Sequence, residues 1–104
     1  MSYNVRMDND KKTKPQVTSG WYVYIVLCRD NSYYTGITTD IKRRITEHNS
    51  SKKGAKYTRN KRPVKLVYQE PAPSRSSAAK REYEIKSLTA RGKNHLIFTN
   101  QSDQ

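Results

Sequence analysis

Cysteine is nearly absent: Cys28 stands alone, which excludes an internal disulfide and a cysteine-based zinc site. It reads as a small buried residue at a strand end. Long apolar runs are missing too. None approaches the ~18 residues of a membrane span. No charged start leads into a hydrophobic signal core, so the chain is expected to be cytoplasmic. Apolar residues make up only 33% of the sequence. The core must therefore be small, in a single domain that buries about 60–70% of its unfolded surface. Acidic residues are the scarcest of the charged types: nine Asp and Glu face 21 Lys and Arg, for a formal charge of +12 over 104 residues.

What is present in quantity is positive charge, and it is clustered. From Lys42 to Lys65 there are ten basic residues and one acid, Glu47. Such clustering is the footprint of a polyanion partner. No basic amphipathic helix with a broad apolar face is visible, which argues against an anionic membrane. Tyr57 lies inside the basic run, which favours nucleic acid over a merely solvated surface.

Residues 1–20 are polar and without apolar periodicity, and are expected to form a disordered tail. Trp21 to Cys28 reads as a strand, Arg29-Asp30-Asn31-Ser32 as a turn, and Tyr33 to Thr38 as a second strand. Thr39-Asp40 caps a helix carrying Ile41, Ile45 and His48, which ends near Asn49-Ser50. Ser51 to Pro63 reads as a basic loop and Val64 to Tyr68 as a third strand, with Pro71-Ala72-Pro73 breaking the chain. Ser74 or Ser77 then caps the longest helix, to about Leu88. A short helix follows Thr89 and ends near Ile97, and 99–104 is a C-terminal tail. The order is β-β-α-β-α-α over residues 21–98. It implies an α+β class, with a small antiparallel sheet flanked by helices.

Side chains alternate along strands, so Tyr22, Tyr24 and Val26 share a face, as do Tyr34 and Gly36. Tyr24 and Tyr34 fall on one common face only if the strand connection has three or five residues, or a bulge. A four-residue connection separates them and leaves ordinary sheet aromatics. Arg44 borders the Ile41/Ile45 stripe and can reach the sheet face. There it is either a solvated arginine or a fixed guanidinium for phosphate. On the next long helix Ala78, Ile85 and Leu88 form the apolar stripe. Glu82 falls near it and Glu84 does not. A carboxylate so placed needs a partner, and Arg81 or a divalent cation are the two candidates.

These residues together resemble the GIY-YIG nuclease domain. Tyr22-Val23-Tyr24 corresponds to the first signature strand and Tyr34-Thr35-Gly36 to the second, with Ile41 and Arg44 at matching spacing. Within the family the pattern is similar to the small standalone bacterial group, through Arg43-Arg44, His48, Gly54-Ala55-Lys56-Tyr57-Thr58 and Glu82. The likeness spans about Trp21 to Ile97. The first motif departs from Gly-Ile-Tyr but keeps Tyr24, and Thr38 stands where some relatives carry lysine or serine. The resemblance implies catalytic positions at Tyr24, Tyr34, Arg44, Glu82 and His48. It also implies one divalent ion, Mg2+ or Mn2+, held by Glu82. Asn94 is a counterpart for the asparagine that many relatives carry late in the domain.

The expectation is thus a metal-dependent endonuclease acting on single-stranded, duplex or branched DNA in repair, recombination or processing. Arg43, Lys52, Lys53, Lys56, Tyr57, Arg59, Lys61 and Arg62 would hold the backbone, and a separate protein partner is one route to targeting. Two rival expectations are a nucleic-acid-binding module that keeps the fold without cleaving, and a basic RNA-associated protein.

Overall fold

In the computed structural model, residues 20–50 and 53–102 are described. The expected N-terminal tail, Gly20 excepted, lies outside them, as do Lys52 and residues 103–104. The elements are β1 (Trp21–Leu27), β2 (Tyr33–Thr38), α1 (Ile41–Ser50), α2 (Lys56–Arg59), β3 (Lys65–Ala72), α3 (Arg75–Lys86) and α4 (Ala90–Ser102). They build the expected α+β arrangement: a three-stranded antiparallel sheet of order β2-β1-β3, flanked by helices. No helix among the described residues is long and apolar enough to cross a membrane.

The aromatic and β-branched run of β1 takes the central position, where both faces are covered. Val23, Ile25 and Val26 are fully buried, and Tyr24 nearly so. One face packs Val23, Ile25, Tyr68 and Ala72 against Ala78 and Ile85 of α3 and Ile97 of α4. The opposite face gathers Tyr24, Val26, Cys28 and Val64 under Ile41 and Ile45 of α1. Cys28 is buried just past the strand end, as its type suggested. Arg81 fastens α3 to the sheet: its Nε donates to Glu70 Oε2 at 2.9 Å, and Tyr68 donates its hydroxyl to the other oxygen of Glu70.

The structure departs from the sequence reading in several details. The basic loop contains a helical turn, α2, because the Ala55 carbonyl accepts from both the backbone N–H and the hydroxyl of Thr58, each at 3.0 Å. The third strand does not stop before Pro71. It runs to Ala72 with Pro71 opposite Tyr22, since β3 is an edge strand and an edge tolerates a residue with no N–H. The helix after Thr89 is not short. At 13 residues it exceeds the 12 of α3 and runs on past Ile97, through positions expected to be a tail; its first turn is capped by Thr89 Oγ1, which accepts from Gly92 N at 3.0 Å. Leu88 is not part of the α3 stripe. The helix closes at Ser87, and Leu88 is 38% exposed. Ser74, not Ser77, is the N-cap of α3, accepting from Ser77 N at 3.0 Å.

The buried stripe of α3 therefore rests on Ala78 and Ile85. Ile85→Ala is expected to lower unfolding stability by about 3 kcal/mol and Leu88→Ala by less than about 1 kcal/mol. Urea denaturation of both variants checks this; equal losses would return Leu88 to the core.

Candidate active site

The site begins with the length of one connection. β1 ends at Leu27 and β2 starts at its pairing partner Tyr33, so Cys28 to Ser32 form a five-residue loop. It is closed by Cys28 N to Ser32 O at 2.8 Å and Asn31 N to Cys28 O at 2.9 Å. Asn31 takes φ 70°, a conformation asparagine tolerates better than most residues. The register that follows sets Tyr24 opposite Gly36 and Val26 opposite Tyr34. Tyr24 and Tyr34 thereby share the face covered by α1, with ring centroids 6.4 Å apart. Gly36 is required by the approach of its neighbour: a Cβ there would lie 2.6 Å from the Tyr24 hydroxyl oxygen.

The Tyr24 hydroxyl meets His48 Nε2 at 2.7 Å. His48 is wholly buried near the end of α1, with the Tyr34 ring edge-on at a centroid distance of 5.3 Å. On its far side His48 Nδ1 lies 3.0 Å from Thr58 Oγ1. The single hydroxyl proton of Thr58 is directed to the Ala55 carbonyl. The Thr58 oxygen therefore accepts from Nδ1–H, which fixes the imidazole tautomer and leaves Nε2 to accept from Tyr24. The result is one directed chain, from Tyr24 O–H through His48 and Thr58 to Ala55 C=O. Arg62 donates its Nε to the His48 carbonyl. Gly54 lets the loop close on α1, since a Cβ there would lie 2.8 Å from Glu47 O and 3.0 Å from His48 Cα.

Burial sets the resting protonation of this chain. It pushes the Tyr24 phenol up to about 12, against the lowering pull of the Arg44 guanidinium. Burial likewise drives His48 down to about 4, helped by the positive charge of Arg44. At neutral pH the pair is a neutral phenol donating to a neutral imidazole. Arg44, three-quarters buried, donates to Glu47 Oε1 at 2.9 Å and to the Lys53 carbonyl at 2.8 Å. Burial works against its charge, but Glu47 and Tyr24 more than compensate, so the guanidinium stays fixed and charged.

Of the groups that act electrostatically on the Tyr24 phenol, Glu82 is felt less than Tyr34 and Arg44. Its side chain is 24% exposed, and its ion pair is with Lys86 at 3.4 Å. Arg81 is not its partner, because Arg81 is engaged by Glu70 and Glu84. Among the described residues no group of three or more His, Cys, Asp or Glu could by itself hold a metal. A single accessible carboxylate suits a magnesium-type ion, which keeps waters and takes phosphate oxygens from a substrate. Glu82 fits that demand.

The basic run surrounds this face. Arg43, Lys53, Lys56, Tyr57 and Arg59 are exposed, and the Tyr57 ring stacks on Tyr34 at 5.9 Å. Lys61 lies 4.6 Å over Tyr57 and pairs with Asp30 at 3.0 Å. Asn94 is not brought to Tyr24: its Oδ1 accepts from Tyr33 at 2.5 Å, and Tyr33 belongs to the opposite sheet face. Thr58 is a fully buried member of the site that the sequence marks only as the end of Gly54-Ala55-Lys56-Tyr57-Thr58.

Residues 20–95 match the family described as the GIY-YIG catalytic domain. The chain is 62% identical over 77 residues to a UPF0213 protein of Desulfotalea psychrophila, covering 74% of this chain and 70% of that protein. It is 57% identical over 76 residues to a UPF0213 protein of Staphylococcus haemolyticus, covering 73% and 92%. Among solved structures it resembles the solution structure of a UPF0213 protein from Bacillus halodurans, at 49% identity and TM-score 0.50, covering 76% of this chain and 83% of that one. It also resembles the solution structure of an E. faecalis protein, at 45% identity and TM-score 0.54, covering 80% and 88%.

Two outcomes test the geometry. Gly36→Ala is expected to force the Tyr24 hydroxyl off His48 and to cost about 1–3 kcal/mol of stability in urea; an unchanged midpoint would mean that the phenol does not sit over Gly36. As pH falls from His48's ordinary 6.5 toward about 4, the unfolded chain binds a proton that the folded chain refuses. Stability that is full above pH 6.5 is therefore lost through that window, by about 3 kcal/mol in all. Denaturation across this range should show a steeper loss for wild type than for His48→Asn, and matched slopes would place the proton elsewhere.

Proposed function

The chain belongs to the GIY-YIG family of nuclease domains, and on that premise we propose that it is a metal-dependent endonuclease hydrolysing phosphodiester bonds of DNA. The observation that carries the reading is the buried hydrogen bond from Tyr24 to His48, with the Arg44 guanidinium acting on the same phenol. A fold alone does not need a desolvated phenol, an imidazole and a guanidinium in one place.

In this reading Arg44 binds a non-bridging oxygen of the scissile phosphate and offsets its growing charge. The attacking water donates a hydrogen bond to the Tyr24 oxygen. As its O–P bond forms, its proton passes to Tyr24 while the phenolic proton passes to His48 Nε2. The P–O bond to the leaving oxygen then breaks; that oxygen keeps the bonding pair and takes a proton from solvent, and His48 gives its proton back through Tyr24 after turnover. Tyr24 never has to exist as a free phenolate, which its raised pKa forbids at neutral pH. Tyr34, packed edge-on against His48, keeps the imidazole in line. Glu82 would hold the divalent ion, whose chemistry is to polarise the phosphate and stabilise the leaving oxygen. Lys53, Lys56, Arg59 and Arg43 supply backbone contacts that carry little sequence information and weaken with salt. A setting in cytoplasmic DNA repair or recombination rests on the family alone.

One observation favours a second reading. Burial moves Tyr24 and His48 apart in pKa, so the resting pair is a poor proton acceptor. A nucleic-acid-binding module that does not cleave would show the same arrangement. Cleavage of single-stranded, duplex and branched DNA with magnesium, manganese or chelator separates the two. Glu82→Ala and Tyr24→Phe should each lower metal-dependent cutting by about 100-fold or more while salt-sensitive binding persists. Binding without cutting by the wild type under every condition would leave the binding module standing; preference for RNA over DNA at fixed salt would displace DNA as the ligand.

A further inference from the structure

Beside the tyrosine face, at the turn end of the β1–β2 hairpin, the structure has a cavity of about 600 Å³. That lies within the ~300–1,000 Å³ range of ligand sites. Its lining includes Leu27, Tyr33 and Tyr57, and its polar residues include Ser32, Lys93 and Asn94. Three separate elements therefore meet there: the hairpin, α2 and the first turn of α4. None of Tyr33, Lys93 or Asn94 takes part in the chemistry assigned to Tyr24 and His48.

The walls define what fits. Two aromatic rings and a leucine favour a flat, weakly polar ring system. Asn94 spends its oxygen on Tyr33 at 2.5 Å, so its amide N–H groups are what it has to offer a ligand. Lys93 adds a cation at the rim, and Lys61 lies over the Tyr57 ring. A planar group with an acceptor edge and an attached anion is a nucleotide. Tyr57 also stacks on Tyr34, so the cavity adjoins the tyrosine pair without overlapping it.

We propose that this cavity receives a single nucleobase, from a nucleotide flanking the phosphate at Tyr24, packed against Tyr33 and Tyr57 and hydrogen-bonded by Asn94. The inference rests on the nucleic-acid reading above and adds a site of base contact to a surface that otherwise holds only the backbone. The base comes either from an unpaired strand or from a duplex that releases it, and the chemistry of the cavity is the same for both.

The test is an abasic walk. Short oligodeoxynucleotides, each lacking the base at one successive position, are bound to wild-type protein in chelator so that nothing is cut, both as single strands and within duplexes. The result expected is a loss of affinity of about tenfold confined to one position. That positional loss should vanish in Tyr57→Leu and in Asn94→Ala. Both residues are exposed, and circular dichroism of the variants confirms that the fold is retained. If single strands alone show the step, the base is taken unpaired; if duplexes show it too, it is drawn from the stack. Equal affinity at every position would overturn the cavity while leaving the nucleic-acid reading intact. No salt-sensitive binding of any oligonucleotide would overturn both. A step that survives both substitutions would place the base contact elsewhere.

Discussion

The hydrogen bond between the Tyr24 hydroxyl and His48 is the interaction to which the rest of the structure is fitted. Both groups are buried in a small core, where an unsatisfied polar atom costs about 1–3 kcal/mol. The bond therefore needs every neighbour it has. Gly36 leaves room for the phenol, the five-residue turn sets the register that places it there, and Thr58 takes the imidazole's second nitrogen. The loop from Gly54 to Val64 is folded back by the same demand. Arg62 donates to the His48 carbonyl, and the Asn49 side chain both accepts from Val64 N at 2.7 Å and donates to Val64 O at 3.0 Å.

The charge of the chain is arranged around that pair. The +12 excess repels itself, and its concentration beside the tyrosines raises local potential. Glu47, the one acid of the basic run, braces Arg44 at 2.9 Å and Arg43 at 3.8 Å. On the other sheet face the acids have a different task. Glu70 and Glu84 engage Arg81 and so fasten α3 to the sheet, while Glu82 pairs with Lys86.

Much of this was legible in one dimension. The aromatic and β-branched residues from Trp21 to Leu27 announce a central strand. Asp40, whose Oδ1 accepts from Arg43 N at 3.0 Å, and Ser74 read as caps because their side chains satisfy the first free N–H groups of a helix. The departure of Glu82 from Glu84 follows from helical periodicity alone, and their side-chain exposures of 24% and 51% agree with it. Other features were hidden for physical reasons. Pro71 suits a strand only at an edge, and strand order is not written in local sequence. Whether Cys28 belongs to the strand or the turn differs by one residue, yet that residue decides whether Tyr34 faces Tyr24. Lys86, four residues on, is within reach of Glu82 on a bare helix; that Arg81 is committed to Glu70 depends on where β3 lies.

By itself the sequence determined the class of partner, the order of the elements and the residue types able to act on a phosphate, because composition, hydrophobic period and capping are local properties. Tertiary structure decided which of those residues meet. The protonation of Tyr24 and His48, the tautomer fixed through Thr58, and the open cavity between the hairpin, α2 and α4 all depend on groups distant in the chain. Burial is a property of the packed whole, and here it sets the chemistry.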